Sequence, residues 1–81
     1  MDFSEALREM KQGKRVRRKR WGYHGSNIYI AIDFPIVGGE MTEPFIYMYK
    51  EVGDNVSRFP TPLSCESLLS DDWEVVSNNL T

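Results

Sequence analysis

An α+β fold is predicted: an N-terminal helix packed on a small antiparallel sheet of about four strands, with a short second helix before the last strand. Three observations predict it. Phe3, Ala6, Leu7 and Met10 recur at helical spacing, the stretches Asn27 to Phe34 and Phe45 to Lys50 alternate with a period of two, and Gly13, Pro35, Gly38-Gly39 and Gly53 separate these segments.

The helix is expected over residues 3–12. Its apolar residues fall at i, i+3, i+4 and i+7 and form one face. Asp2 followed three residues later by Glu5 reads as a capping box, and Gly13 stands where a left-handed C-cap belongs. A helix this short is marginal in isolation, because nucleation is costly, so it must pack on something. Residues 14–21 are β-compatible, with Val16 as the one aliphatic. In Asn27 to Phe34, Ile28, Ile30 and Ile32 share one face while Tyr29 and Ala31 share the other. Pro35 and the glycine pair end that strand. Phe45, Tyr47 and Tyr49 share a face of the next, which Gly53-Asp54-Asn55 turns into a short strand near Val56 to Phe59. Thr61-Pro62 reads as an N-cap and N1 pair for a helix over Leu63 to Leu69, and Trp73 to Val76 as a final edge strand.

The 81 residues read as one domain, 1–81, and at this size folding buries only about 60–65% of the surface an unfolded chain exposes, so oligomerisation would add useful buried area. A 41% hydrophobic fraction with two Trp, four Tyr and four Phe argues for a folded core. The single cysteine, Cys65, cannot form an internal disulfide, and no apolar run approaches a membrane span, so a reducing cytoplasm is the expected setting.

Charge is distributed unevenly. Seven of the ten residues from Lys11 to Arg20 are basic, whereas residues 21–81 carry two basic and nine acidic side chains. A local basic arm on an acidic body suits a small anionic ligand, an acidic partner or a short stretch of nucleic-acid backbone. It differs from the uniformly basic coat of a non-specific DNA binder. The plain alternative is a solvated strand whose charges prevent edge-to-edge association. Catalysis is not expected. His24 is the only histidine and lies between Gly22-Tyr23 and Gly25, Cys65 reads as a small packing residue, and Asp71-Asp72 reads as a turn rather than a metal site. No cofactor is predicted, and Gly38-Gly39 lacks the context of a phosphate loop.

Ligand binding has better chemistry. The guanidinium groups of Arg18 and Arg20 can grip phosphate in bidentate fashion, and the Trp21 indole can stack on a purine; the alternative for Trp21 is a core or interface anchor. Tyr23, Asn27 and Tyr29 follow closely enough to supply hydrogen bonds to ribose or base edges, and Tyr29 equally suits a sheet position.

Two blocks of this chain resemble a known family. Met1-Asp2-Phe3-Ser4-Glu5-Ala6-Leu7, then Met10-Lys11, Gly13-Lys14, Val16, Arg18 and Trp21, followed near the end by Leu68-Leu69-Ser70-Asp71-Asp72-Trp73-Glu74-Val75-Val76, are similar to the second class of Thoeris anti-defence proteins, small phage-encoded sponges. Phe59-Pro60-Thr61-Pro62 departs from that pattern, which has a tryptophan before the proline of the short helix. The resemblance implies a homotetramer that withholds glycocyclic ADP-ribose, a signal made by a bacterial TIR-domain enzyme, inside an infected host, with cyclic dinucleotides as a further ligand class of some members. The candidate ligand-binding set is Arg18, Arg20, Trp21, Tyr23, Asn27, Tyr29, Thr61 and Asp71, and because a domain of 81 residues has little room for a buried pocket, a site shared between subunits is expected, with Trp21 and the arginine arm from one chain and C-terminal residues from a neighbour. Efficient withholding calls for a nanomolar dissociation constant, about -12 kcal/mol. The alternatives are a nucleic-acid-binding or protein-interaction module using the basic arm Lys11 to Arg20, and an inhibitor that docks directly on a defence enzyme.

Overall fold

The computed structural model describes residues 1–21, 27–36 and 38–76. Helix α1 runs over Phe3–Lys11, and its start is fixed as the sequence predicts. The Asp2 carboxylate accepts from the Glu5 N–H at 2.9 Å while the Glu5 carboxylate accepts from the Asp2 N–H at 3.2 Å, a complete capping box. This bond also holds the Asp2 carboxyl below its usual pKa. Gly13, at φ +90°, follows the Gln12 cap and turns the chain out of the helix in a conformation that a side chain would strain.

Five antiparallel strands follow: β1 (Val16–Arg18), β2 (Asn27–Asp33), β3 (Phe45–Val52), β4 (Asn55–Pro60) and β5 (Trp73–Val75). They lie in the order β4-β3-β2-β1-β5, so the last strand is an edge strand beside the first. The basic arm contributes only three residues to β1, and Lys19–Trp21 winds into a 3-10 turn.

Register assigns every side chain to a face. Val16 pairs with Ile30, Ile30 with Met48 and Met48 with Phe59, so these residues point to the side covered by α1. There Ala6 and Met10 meet Val16, Ile30 and Trp73 in the buried core, with Phe3, Leu7, Ile32 and Ile46 packed around them. The opposite side, here called the open face, carries Arg17, Tyr29, Ala31, Tyr47, Tyr49 and Arg58, and α1 does not reach it.

The second helix corrects the expected start. Helix α2 covers Cys65–Leu69, and its cap is Ser64, whose hydroxyl accepts from the Ser67 N–H at 3.2 Å. Thr61 cannot serve as the cap. Its N–H donates to the Ile46 carbonyl at 3.1 Å, prolonging the β3–β4 pairing by one residue, and its hydroxyl donates to the Pro62 carbonyl. The chain is therefore still extended where Thr61-Pro62 suggested a helix.

A candidate ligand site divided between two faces

The basic arm is largely neutralised by the chain's own acids. Lys14 pairs with Glu9 at 2.9 Å, Arg17 with Glu74 at 2.8 Å, and Arg18 with Asp72 at 2.8 Å. Arg18 Nη1 and Arg20 Nη1 both reach Glu66 Oε1, at 3.2 and 2.7 Å. Lys11, Arg15 and Lys19 have no carboxylate within 4 Å among the described residues. The charge asymmetry of the sequence thus serves in good part to fasten the arm onto α2 and β5.

Arg18 occupies the centre of this arrangement. It is 6% exposed on the helix-covered face, where Nε donates to Asp72 Oδ1 and Nη1 donates to Glu66 and, at 3.5 Å, to the Ser67 hydroxyl. The Asp72 hydrogen bond raises the Arg18 pKa and lowers that of Asp72, the same pair seen from its two ends. The Asp72 carbonyl also accepts from the Lys19 N–H at 2.9 Å. In this geometry Arg18 positions β1 against α2.

Arg20 lies at the rim with its side chain 59% exposed. Trp21 is half-buried, its ring edge-on to Trp73 at 5.4 Å; Trp73 also touches the Phe3 ring at 5.3 Å and donates from its indole N–H to the Ser67 carbonyl. Trp21 accordingly has one side committed to the core. Asp71, exposed, stands one residue before Asp72, so Arg18, Arg20, Trp21 and Asp71 come together at one end of the sheet. Tyr23 and His24 lie outside the described residues.

The remaining predicted residues are spread along the sheet. Asn27 is half-buried at the start of β2 opposite Glu51, and Tyr29 is on the open face. Thr61 follows β4 at the far end, and β2 alone separates the two ends by about 20 Å at the antiparallel strand rise. One copy of the chain therefore cannot bring Thr61 and Trp21 onto the same small ligand.

Tyr29 belongs to an arrangement that sequence reasoning missed. Its ring stacks on Tyr49 with centroids 4.6 Å apart and planes 11° from parallel; the Arg15 guanidinium lies 4.9 Å over the Tyr29 ring and that of Arg58 lies 5.0 Å over the Tyr49 ring. The result is a ladder, Arg15–Tyr29–Tyr49–Arg58, from the residue before β1 across β2, β3 and β4. Register builds it: Tyr29 is directly opposite Tyr49, and Tyr49 is opposite Arg58. Burial raises the pKa of both phenols, helped at Tyr49 by the hydroxyl donating to Glu51 at 3.2 Å. The period-two pattern puts Tyr29 with Ala31 on one face of β2 and Tyr49 with Phe45 and Tyr47 on one face of β3, but the pairing that joins them requires the register.

Arg58 also borders a depression of about 380 Å³ lined by Asp33, Phe45, Tyr47, Phe59 and Pro60, at the end of the sheet away from Trp21. No group of three His, Cys, Asp or Glu side chains able to hold a metal is found among the described residues, and no described helix is long and apolar enough to cross a membrane.

No curated protein matches the chain closely enough to count as a relative. A family model does, described as Tad2-like, a Thoeris anti-defense 2-like domain, over residues 1–76, which takes in α1, all five strands and α2. The helix-capped start, the arm clamped by Arg18 and the closing Trp73 strand are thus held in one matched unit, and the chain belongs to the Tad2-like family of Thoeris anti-defense domains, with an anti-defence role.

Proposed function

We propose that this chain blocks defence by binding a cyclic nucleotide signal, glycocyclic ADP-ribose, and holding it unaltered, without catalysis, in the cytoplasm of an infected host. Family membership supplies the anti-defence role. The observation that carries the ligand class is the convergence of Arg18 Nη1 and Arg20 Nη1 on one carboxylate oxygen, Glu66 Oε1. Two guanidinium groups aimed at one oxygen form a seat for an oxyanion, and in this reading a diphosphate oxygen takes the place of the carboxylate. Trp21 presents its free side to the adenine, and Asn27, Tyr29, Tyr23, Thr61 and Asp71 supply further contacts.

The division of these residues between opposite ends of the sheet favours a site completed by a second copy, in keeping with a homotetramer. Cyclic dinucleotides are a further ligand class in this reading. Pairing of Lys14, Arg17, Arg18 and Arg20 with carboxylates weighs against use of the whole arm on nucleic acid, since a run of backbone phosphates along it would have to displace Glu9, Glu74, Asp72 and Glu66, whereas the diphosphate displaces Glu66 alone.

The test is retention. Purified chain is incubated with glycocyclic ADP-ribose, freed of unbound ligand, heat-denatured and analysed by mass spectrometry. Intact ligand released in stoichiometric yield is expected. Altered ligand would mean catalysis, and no ligand would remove the proposal. An Arg20→Ala variant, altered at an exposed position, is expected to fold and to retain less.

A further inference from the structure

We infer that Glu66 is a tethered stand-in for the ligand's phosphate, a specificity-determining residue that closes the seat of Arg18 and Arg20 to simple anions and yields it to a diphosphate held by further contacts. The inference rests on the reading of that seat as the diphosphate site and adds a role for the carboxylate that fills it.

Geometry comes first. Glu66 Oε1 accepts from Arg18 Nη1 at 3.2 Å and from Arg20 Nη1 at 2.7 Å, so one oxygen takes both contacts, as a phosphate oxygen would. The Glu66 side chain is 67% exposed while that of Arg18 is 7% exposed. The carboxylate therefore lies outward of a buried guanidinium and can leave by turning into water.

Its departure leaves the seat standing. Arg18 keeps Asp72, to which Nε donates at 2.8 Å. The backbone of α2 is fixed by bonds that the Glu66 carboxylate does not make: the Ser64 hydroxyl accepts from the Ser67 N–H, the Ser70 hydroxyl donates to the Glu66 carbonyl at 2.6 Å, and the Trp73 indole donates to the Ser67 carbonyl. Opening requires the rotation of one side chain and no movement of the fold.

The two contacts of Glu66 differ in strength. That with Arg20 joins two exposed side chains and is worth little. That with Arg18 reaches a buried guanidinium, where screening by water is weaker. Tethering then sets a threshold. A carboxylate on a short flexible side chain faces its seat at an effective concentration on the order of millimolar. A free anion with no other contact has to exceed that level, whereas a ligand that also stacks on Trp21 draws on additional binding energy. Every ligand of the seat displaces the same carboxylate, so Glu66 lowers all their affinities by a common factor, and only ligands with contacts beyond the seat still bind.

The experiment uses the full chain with inorganic pyrophosphate as the probe in titration calorimetry, and glycocyclic ADP-ribose titrated separately. Glu66→Gln, altered at an exposed position, is expected to bind pyrophosphate about ten-fold or more tighter than the parent, since one charge-assisted competitor is gone, and to gain by a similar factor for glycocyclic ADP-ribose. Adding Arg20→Ala to Glu66→Gln is expected to remove the gain. In the parent, bound glycocyclic ADP-ribose is expected to move the Glu66 carboxyl carbon signal in NMR to that of a glutamate free in water. A Glu66 that served only to fasten α2 to the arm would act in the opposite sense, and its loss would weaken both ligands. Glu66→Asp, one methylene shorter, serves if Glu66→Gln proves less stable, and an intermediate gain is expected.

The inference is overturned if Glu66→Gln and Glu66→Asp bind pyrophosphate no tighter than the parent, if the gain survives Arg20→Ala, or if the Glu66 carboxyl signal stays in place while glycocyclic ADP-ribose is bound. Retention of glycocyclic ADP-ribose by the parent with no gain in the variants removes only this inference. A pyrophosphate gain without retention removes only the sponge.

Discussion

The two faces of the sheet each fix arginines, by different means. On the helix-covered face Arg18 is held by carboxylates, Asp72 and Glu66, beneath a core centred on Trp73. On the open face Arg15 and Arg58 are held by the rings of Tyr29 and Tyr49. A guanidinium held by an acid has its charge and its N–H groups already matched, so it organises structure. One held by a ring keeps its N–H edge available, so it can organise and bind at once. The comparison places stability on the first face and uncommitted positive charge on the second.

The largest expected effect follows from that division. Trp73 is 1% exposed, contacts the rings of Phe3 and Trp21, and donates to the Ser67 carbonyl. Trp73→Ala should cost about 3–5 kcal/mol in chemical denaturation, which for a domain this small approaches the whole stability. A loss below about 1 kcal/mol would show that this face is not the organising one.

Asp72→Ala comes next. It leaves Arg18 buried with one partner fewer, and a loss of about 1.5–3 kcal/mol is expected for a hydrogen bond to a charged group. The sign with pH is set by the lowered Asp72 pKa. A carboxyl whose folded pKa lies below its unfolded value contributes stability fully above the unfolded pKa and loses it as pH falls through the folded one. The parent chain should therefore lose stability, relative to Asp72→Ala, as pH falls from about 5 through the acid side of the carboxylate range. Parallel stability curves for the two over that interval would contradict the pairing.

How much of this was legible follows from the distance over which each feature is specified. The capping box, the Gly13 cap and the alternation of Ile28, Ile30 and Ile32 are local, and the structure shows each where the sequence puts it. The short helix was misplaced because Thr61-Pro62 has good cap chemistry, while the competing β3–β4 bond to Ile46 depends on a residue remote in sequence. The basic arm read as available charge because Glu66, Asp72 and Glu74, which neutralise it, enter only when β5 closes beside β1. For the same reason Arg18 was legible as an arginine near Trp21 but not as a buried clamp. Arg15, Tyr49 and Arg58 gave no local signal, since their meeting is decided by the register of β2, β3 and β4 and by where the chain enters β1.

The tyrosine ladder itself predicts a smaller effect. A double-mutant cycle over Tyr29→Ala and Tyr49→Ala should give a coupling of about 0.5–1.5 kcal/mol for a stacked pair. The raised phenol pKa values add an alkaline signature of opposite sense to that of Asp72. Here the folded pKa exceeds the unfolded one, so the contribution is present below about pH 10 and is lost as pH rises through the folded value. Absorbance titration of phenolate, compared between the parent and the Tyr29→Phe and Tyr49→Phe variants, should show these two tyrosines ionising above the ordinary range; their titration at the free-tyrosine value would remove the ladder's buried character.

Arg17 and Glu74 separate the effect of face from the effect of pairing. They form an acid-held pair on the open face, each side chain 32% exposed, with 2.8 Å between Arg17 Nε and Glu74 Oε2. If the mode of holding an arginine sets its worth, this pair should behave as a solvent-screened ion pair even though it shares a face with the ladder. Its coupling in a double-mutant cycle over Arg17→Ala and Glu74→Ala should be about 0–1 kcal/mol and should shrink with added salt. The Tyr29–Tyr49 coupling, measured in the same salt series, should hold steady because stacking carries no net charge. Equal salt sensitivity of the two cycles would mean that the environment of the open face, and not the choice between carboxylate and ring, decides how its arginines are held.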